Sequence, residues 1–306
     1  MHVAVAIVGF RNATDVARCL AALALSSHAD FEVTICENGG PAAHAALLAA
    51  IPAALTGGQP VRAVLAPGNL GFAGGVNFCL AEAPGAGAWW VLNPDTIPEP
   101  EALAACVARL ERGDCEAVGC TLYRPDGSVQ SHGGAWSGWL GRAVSIGIGG
   151  PLDAAVDAAW IERRQNYLNG AAMLVGRRFV EVVGPMREDY FLYCEEVEWC
   201  LRGLARGMRL GYAPGGRVLH EQGTTTGAIQ PVRTRPRAPT YLGERNGLLL
   251  TRDRYPARLP VTAAATLAQI VLRSLRGRSW RLLRFGLAGW WAGLRGERGV
   301  PEWIGA

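Results

Sequence analysis

Lysine is absent from this 306-residue chain; all 30 basic residues are arginine. The phosphate-binding pattern GxxxxGK(S/T) therefore cannot occur, and the glycine-rich turns also lack the dinucleotide pattern GxGxxG. The eight cysteines form no CxxC pair and no cysteine/histidine metal spacing, which reads as reduced, mostly buried thiols in a cytosolic protein. The chain opens on the strand-like HVAVAIVGF without a basic leader or a small-residue cleavage site, the pattern of a chain that is not secreted. No apolar run reaches the roughly 18 residues of a transmembrane helix. The nearest, VTAAATLAQIVL (261–272), is short and runs straight into arginines. Internal repeats are absent too.

What is present describes a folded α/β protein. Half of the residues are apolar and 18% are charged. VAVAIVGF (3–10), FEVTICENG (31–39), VRAVLA (61–66) and WWVLNPDT (89–96) are strand-like runs. Between them lie helical patterns: DVARCLAALALS, with Asn12 and Thr14 as capping candidates, an alanine-rich segment near 42–55, and GVNFCLAEA (75–83). A run of βαβ units predicts a mostly parallel, Rossmann-like central sheet with flanking helices. A helix is expected at about 99–112. A hairpin turning at Asp126-Gly127 follows, and then a glycine-rich mobile loop over 133–150. The proline- and arginine-rich 228–240 reads as a linker. We therefore expect a first domain over 1–240 and a helical, Arg/Trp-rich extension over 241–306.

Open parallel sheets bind ligands at the carboxyl ends of their strands. The turns there read GFRN (9–12), ENGG (37–40), PGNLGFAGGVN (67–77) and LNPDT (92–96). Glycines 68, 71, 74 and 75 would let backbone N–H groups approach a phosphate, although tight βα connections use glycine equally often. Asp95 could hold a hard cation or, with Thr96, cap the following helix; position alone favours the cap. His220 ends the strand RVLH, where a lone histidine is usually structural.

YFLYCEEVEWCLR (190–202) carries three glutamates within aromatic and aliphatic mass. A helical wheel gathers Tyr193, Val197, Cys200, Leu201 and Leu204 on one face. Glu195, Glu198 and Arg202 fall on the opposite face, with Glu198 and Arg202 at ion-pair spacing. Glu196 borders apolar surface, where partial desolvation suits a general base.

In this order, ENGG, NLGFAGGVN, LNPDT, RPDGS, LNGAAMLV, EDYFLYCEEVEWCLR, RVLH and YLGERNGLLL resemble the family-2 glycosyltransferases of the GT-A fold. The likeness is strongest to the rhamnosyltransferase-like branch that builds bacterial surface polysaccharide. The resemblance implies an inverting transfer of rhamnose or another hexose from a dTDP- or UDP-sugar to a saccharide or lipid-linked acceptor. It places Phe10, Arg11, Glu37, Asn38, Asn69, Gly71, Phe72, Asn77, Asn93 and Asp95 at the donor, and Asp95 and His220 on Mg²⁺ or Mn²⁺. Glu196 falls at the base, where the family usually has aspartate, and Glu195, Trp199 and Gly170 fall near the acceptor.

Two other readings remain: a sugar nucleotidyltransferase, whose glycine/arginine-rich signature GFRN matches poorly, and a catalytically silent nucleotide-sugar-binding protein. No nucleic-acid partner is expected. Trp280, Trp290 and Trp291 lie among arginines, which fits peripheral attachment to the inner face of the cytoplasmic membrane. Packing on the main domain, as monomer or homodimer, fits equally well.

Overall fold

The computed structural model describes residues 1–221, 227, 230, 231 and 233–304. Three βα steps and a fourth strand open the chain: β1 (Val3–Gly9), α1 (Ala13–Leu23), β2 (Phe31–Glu37), α2 (Pro41–Ala50), β3 (Val61–Leu65), α3 (Gly71–Glu82) and β4 (Ala88–Leu92). A short β5 (Thr96–Pro98) precedes α4 (Ala102–Leu110), β6 (Ala117–Tyr123) and β7 (Val129–Ser131). Next come β8 (Gly134–Ser137), β9 (Arg142–Ser145), α5 (Ala158–Arg164), β10 (Ala172–Gly176), α6 (Arg177–Val183), α7 (Glu195–Ala205) and β11 (Leu210–His220). The chain closes with α8 (Arg237–Arg254), α9 (Leu259–Gly277) and α10 (Trp280–Arg295).

The central sheet runs β3-β2-β1-β4-β10-β6-β11-β5, with β7 paired to β6. Only β10, β5 and β7 run against their neighbours; the other pairings are parallel. Strand periodicity divides the core between the two faces. Val3, Val5, Ile7 and Trp90 pack under α1, α2 and α4, whereas Ala4, Ala6 and Trp89 pack under α3, α6 and α7. Leu249 and Leu250 of α8 join the second cluster, so this helix is seated on the sheet layer. Helix α10 lies close on α8, since a Cβ on Gly289 would fall 2.2 Å from the Tyr241 carbonyl oxygen.

Several local expectations change. The stretch 133–150 holds the β8–β9 hairpin rather than a mobile loop, with Trp136 buried beneath it. Asn12 precedes α1 but turns its Oδ1 to the Phe10 N–H at 3.0 Å and makes no helix cap. Asp95 and Thr96 do not cap α4, because β5 intervenes and Glu101 stands at that N-terminus. The glycines after β3 open α3 itself, which begins at Gly71 rather than Gly75. Residues 228, 229 and 232 of the linker lie outside the described residues. Among the described residues no helix is long and apolar enough to cross a membrane.

Candidate active site

A cavity of about 490 Å³ opens at the carboxyl ends of β1 and β4. The chain folds back to it repeatedly. The βα turns bring Phe10, Asn38, Asn69, Gly71, Phe72, Asn93 and Asp95, the turn before β10 brings Gly170, α7 brings Glu195 and Glu196, and β11 brings His220. The remaining sequence candidates lie outside its lining. Glu37 is buried and its Oε1 accepts from Arg11 N (3.1 Å) and Gly39 N (2.6 Å), so it ties two turns together. The Arg11 side chain donates Nε to the Gly39 carbonyl at 3.3 Å. Asn77 brackets Met186 through both side-chain atoms, at 2.9 and 2.8 Å. Trp199 is wholly enclosed, with its indole N–H on the Gly184 carbonyl (2.7 Å) and its ring edge-on to Phe179, so it is a core residue.

Asp95 and His220 are far apart in the chain and meet because β5 pairs with β11, setting Thr96 opposite His220. Both side chains are only 7% exposed, with His220 Nε2 at 3.3 Å from Asp95 Oδ1. On its other side the ring meets Gln130 Oε1, 3.1 Å from Nδ1. An amide oxygen only accepts, so Nδ1 donates on that side and Nε2 is the ring nitrogen turned toward the carboxylate. A carboxylate oxygen and an imidazole nitrogen that converge in this way can share a proton or a metal ion. An oxygen and an imidazole nitrogen suit Mn²⁺ or Mg²⁺, and an outer partner holding the ring is the usual support of a histidine ligand. The donor set fits a divalent ion whose other ligands are supplied by substrate oxygens and water.

The opposite wall is built on a strained segment. Phe191, Tyr193 and Cys194 all have positive φ (68°, 75° and 70°), costly for side chains with a Cβ. Phe191 sits at the centre of a γ-turn, closed by Leu192 N on Tyr190 O at 2.9 Å. Helix α8 holds this segment in place. The Asn246 amide nitrogen lies 2.9, 2.8 and 2.8 Å from the carbonyl oxygens of Tyr190, Leu192 and Tyr193. The Arg245 guanidinium, also buried, adds a bond to Tyr190 O (3.0 Å) and orients Asn246 Oδ1 (2.9 Å). From the other side Phe72 N donates to Phe191 O at 2.8 Å. That approach requires Gly71: its φ is +70°, and a Cβ there would lie 2.2 Å from the same oxygen.

This segment delivers the carboxylates at the start of α7. Glu195 is 2% exposed and half of its carboxylate has no hydrogen-bond partner among the described residues. Burial, then the neighbouring charge of Glu196, pushes it up to about 8. Glu196 faces the cavity, packed against Gly170, and burial raises it as well. The charge of Glu196 disfavours ionisation of Glu195, so the two carboxyls do not ionise independently. Glu198 takes its ion pair with Arg202 as expected, both oxygens at 3.1 Å from Nε. Its face of the helix is buried rather than solvated, because Arg202 also reaches the carbonyls of Val183 and Pro185 and so carries the 183–185 segment across Glu198.

Gln130, Arg245 and Asn246 were not singled out from sequence. The available signal was ERNG running directly into the leucines 248–250, a place where two polar side chains must be satisfied inside.

The fold is of the GT-A type. Residues 5–144 match the model of the family described as glycosyl transferase family 2. The N-acetylglucosaminyl-diphospho-decaprenol L-rhamnosyltransferase of Mycobacterium tuberculosis is 28% identical over 240 residues, covering 69% of this chain and 73% of that protein. The low-salt glycan biosynthesis hexosyltransferase Agl10 of Haloferax volcanii is 21% identical over 243 residues, covering 77% and 76%. Among solved structures, the mannosyltransferase PcManGT from Pyrobaculum calidifontis in complex with GDP-Man and Mn²⁺ superposes with a TM-score of 0.56 at 13% identity, over 96% of this chain and 87% of that one. GalNAc-T7 with UDP, GalNAc and Mn²⁺ gives 0.61 at 12% identity, over 94% and 55%.

Proposed function

We propose that this glycosyltransferase is inverting and metal-dependent, and moves rhamnose or another hexose from a dTDP- or UDP-sugar to a hydroxyl of a saccharide or lipid-linked saccharide. The relative from Mycobacterium tuberculosis, named for a lipid-diphosphate acceptor, supports a role in cell-surface polysaccharide synthesis. One observation carries the reading: a carboxylate with a raised proton affinity and an Asp95–His220 pair fit for a cation share one cavity.

Asn38, Asn69, Phe10 and Phe72 bind the nucleotide end and orient the sugar, with Gly71 allowing close approach. Asp95 and His220 hold Mn²⁺ or Mg²⁺, which when bound places positive charge on the donor diphosphate. Glu196 takes the proton of the acceptor hydroxyl; the oxygen forms a bond to the anomeric carbon as the bond to the diphosphate breaks. A single displacement inverts that carbon, and the diphosphate leaves without a second acid. Glu195, protonated, keeps its negative charge away from the base, and Gly170 leaves room beside it for the acceptor.

We assign catalysis to residues 1–240. The extension from 241 walls the cavity through Leu242 and Ile304 and, through the exposed Trp280 and Trp291, rests on an anionic membrane surface at the cytoplasmic face. Trp290 is instead tied to the Ala263 carbonyl at 2.9 Å.

The test is a screen of UDP-, dTDP- and GDP-sugars for Mn²⁺-dependent binding and slow donor hydrolysis. We expect one nucleotide class to respond and EDTA to abolish the response. Pyrophosphate release from a nucleoside triphosphate would overturn the reading in favour of a nucleotidyltransferase.

A further inference from the structure

A second cavity, of about 230 Å³, lies between the β8–β9 hairpin and helices α8, α9 and α10. Arg142 of β9, Arg235 ahead of α8 and Arg273 of α9 line it, against one acidic residue, Glu244. Arg273 is already paired with Glu244. That leaves two guanidinium charges, and Arg235 Nε is enclosed with no hydrogen-bond partner among the described residues. A concave wall with unspent guanidinium donors binds phosphate oxygens, which such forks match in geometry.

The placement of this pocket gives it a role. It shares a wall with the first cavity: Ala238 and Leu242 of α8 line the first, whereas Pro239 and Thr240 line the second. Tyr193 and Glu195 likewise face the first cavity, and Cys194 between them faces the second. Gln269 of α9, which lines the second pocket, holds the hairpin turn through the Leu140 carbonyl at 3.4 Å. The residues at that turn are apolar and exposed: Trp139 is 53% and Leu140 48% accessible. A guanidinium-lined site one wall away from Glu196, with greasy surface beside it, fits an anion joined to a hydrocarbon chain.

We propose that this pocket holds the diphosphate of a lipid-linked acceptor, so that the attached saccharide reaches over the shared wall to Glu196 while the lipid leaves along Trp139 and Leu140. This rests on the transferase reading above and names its acceptor class.

The test uses the whole chain in EDTA, titrated by calorimetry with farnesyl diphosphate and separately with inorganic diphosphate, in the wild type and in R142Q/R235Q. Arg142 is exposed, and a melting curve confirms that the variant folds. Farnesyl diphosphate should bind the wild type more tightly than inorganic diphosphate does, and the double variant should lose at least about tenfold in affinity, the scale of charge-assisted hydrogen bonds. Mn²⁺-dependent donor binding should be the same in both proteins. Equal affinity of variant and wild type for farnesyl diphosphate overturns the pocket. Equal affinity of the wild type for the two diphosphates overturns the lipid assignment and leaves a site for free phosphate. If the wild type binds no donor sugar with Mn²⁺, the transferase reading itself fails, whatever the arginines do.

Discussion

Asp95 Oδ1 and His220 Nε2 face each other across 3.3 Å, one on the turn after β4 and the other at the last residue of β11. Gln130 decides which ring nitrogen is turned toward the carboxylate. Gln130→Leu should therefore weaken Mn²⁺ binding by about 10–100-fold while removing no ligand, the usual cost of losing an outer partner. Asp95→Ala should weaken it further. Mn²⁺ titrations monitored by electron paramagnetic resonance, with nucleoside diphosphate present, measure both. Unchanged affinity in Asp95→Ala would argue that the metal sits elsewhere.

Glu196→Gln keeps the shape of the cavity and removes the acceptor of the proton. The expected result is a fall in kcat of about 10²–10⁴ with donor affinity retained. Near-normal turnover by this variant would sink the base assignment.

The buried Glu195 makes stability depend on pH. Its carboxyl holds a proton up to about 8 in the folded chain, against 4.5 ordinarily. Between those values the folded state binds more protons than the unfolded state, so stability declines as pH rises through that window. Glu195→Gln should flatten the decline and exceed the wild type above about pH 8 by on the order of 2 kcal/mol, less than an isolated group would give because the two carboxyls titrate together. Denaturant unfolding at acidic and alkaline pH compares the slopes.

Asn246→Leu leaves three carbonyl oxygens without their common donor. We expect a loss of about 1–3 kcal/mol in stability. Turnover should fall by more than donor affinity, since the carboxylates lose their support before the nucleotide end does. Melting curves and donor titrations on the same sample separate the two effects.

Gly71→Ala should be far more damaging than Gly68→Ala. At position 71 a methyl group meets the Phe191 carbonyl in a left-handed backbone, whereas at 68 it meets nothing within 4 Å. Equal melting temperatures for the two variants would contradict the close approach of α3 to the γ-turn.

The site was legible where chemistry sits in contiguous turns. ENGG, NLGF and LNPD each reach the cavity because strand ends in a parallel sheet share an edge, and CEE reaches it at the start of α7. Legibility failed where a distant segment decides the environment. The helical wheel paired Glu198 with Arg202, yet periodicity cannot say what lies across from a face. Here Glu195 and Glu198 are both buried, and α7 begins at Glu195, which leaves Tyr193 outside the helix. The cap assigned to Asp95 failed because three residues, Thr96–Pro98, pair with a strand more than a hundred positions away. The resemblance placed Trp199 near the acceptor, whereas Phe179 and Gly184 claim both its ring and its N–H. Arg245 and Asn246 were hidden for the same reason, since their partners lie more than fifty residues back along the chain.

The left-handed run Phe191, Tyr193, Cys194 bears on engineering. A glycine at Cys194 would relieve the backbone at no steric cost, and a stability screen would favour it. The same exchange would free the hinge on which two glutamates are aimed. Thermostability and turnover are thus set against each other at this residue, and selection for one alone would be expected to erode the other.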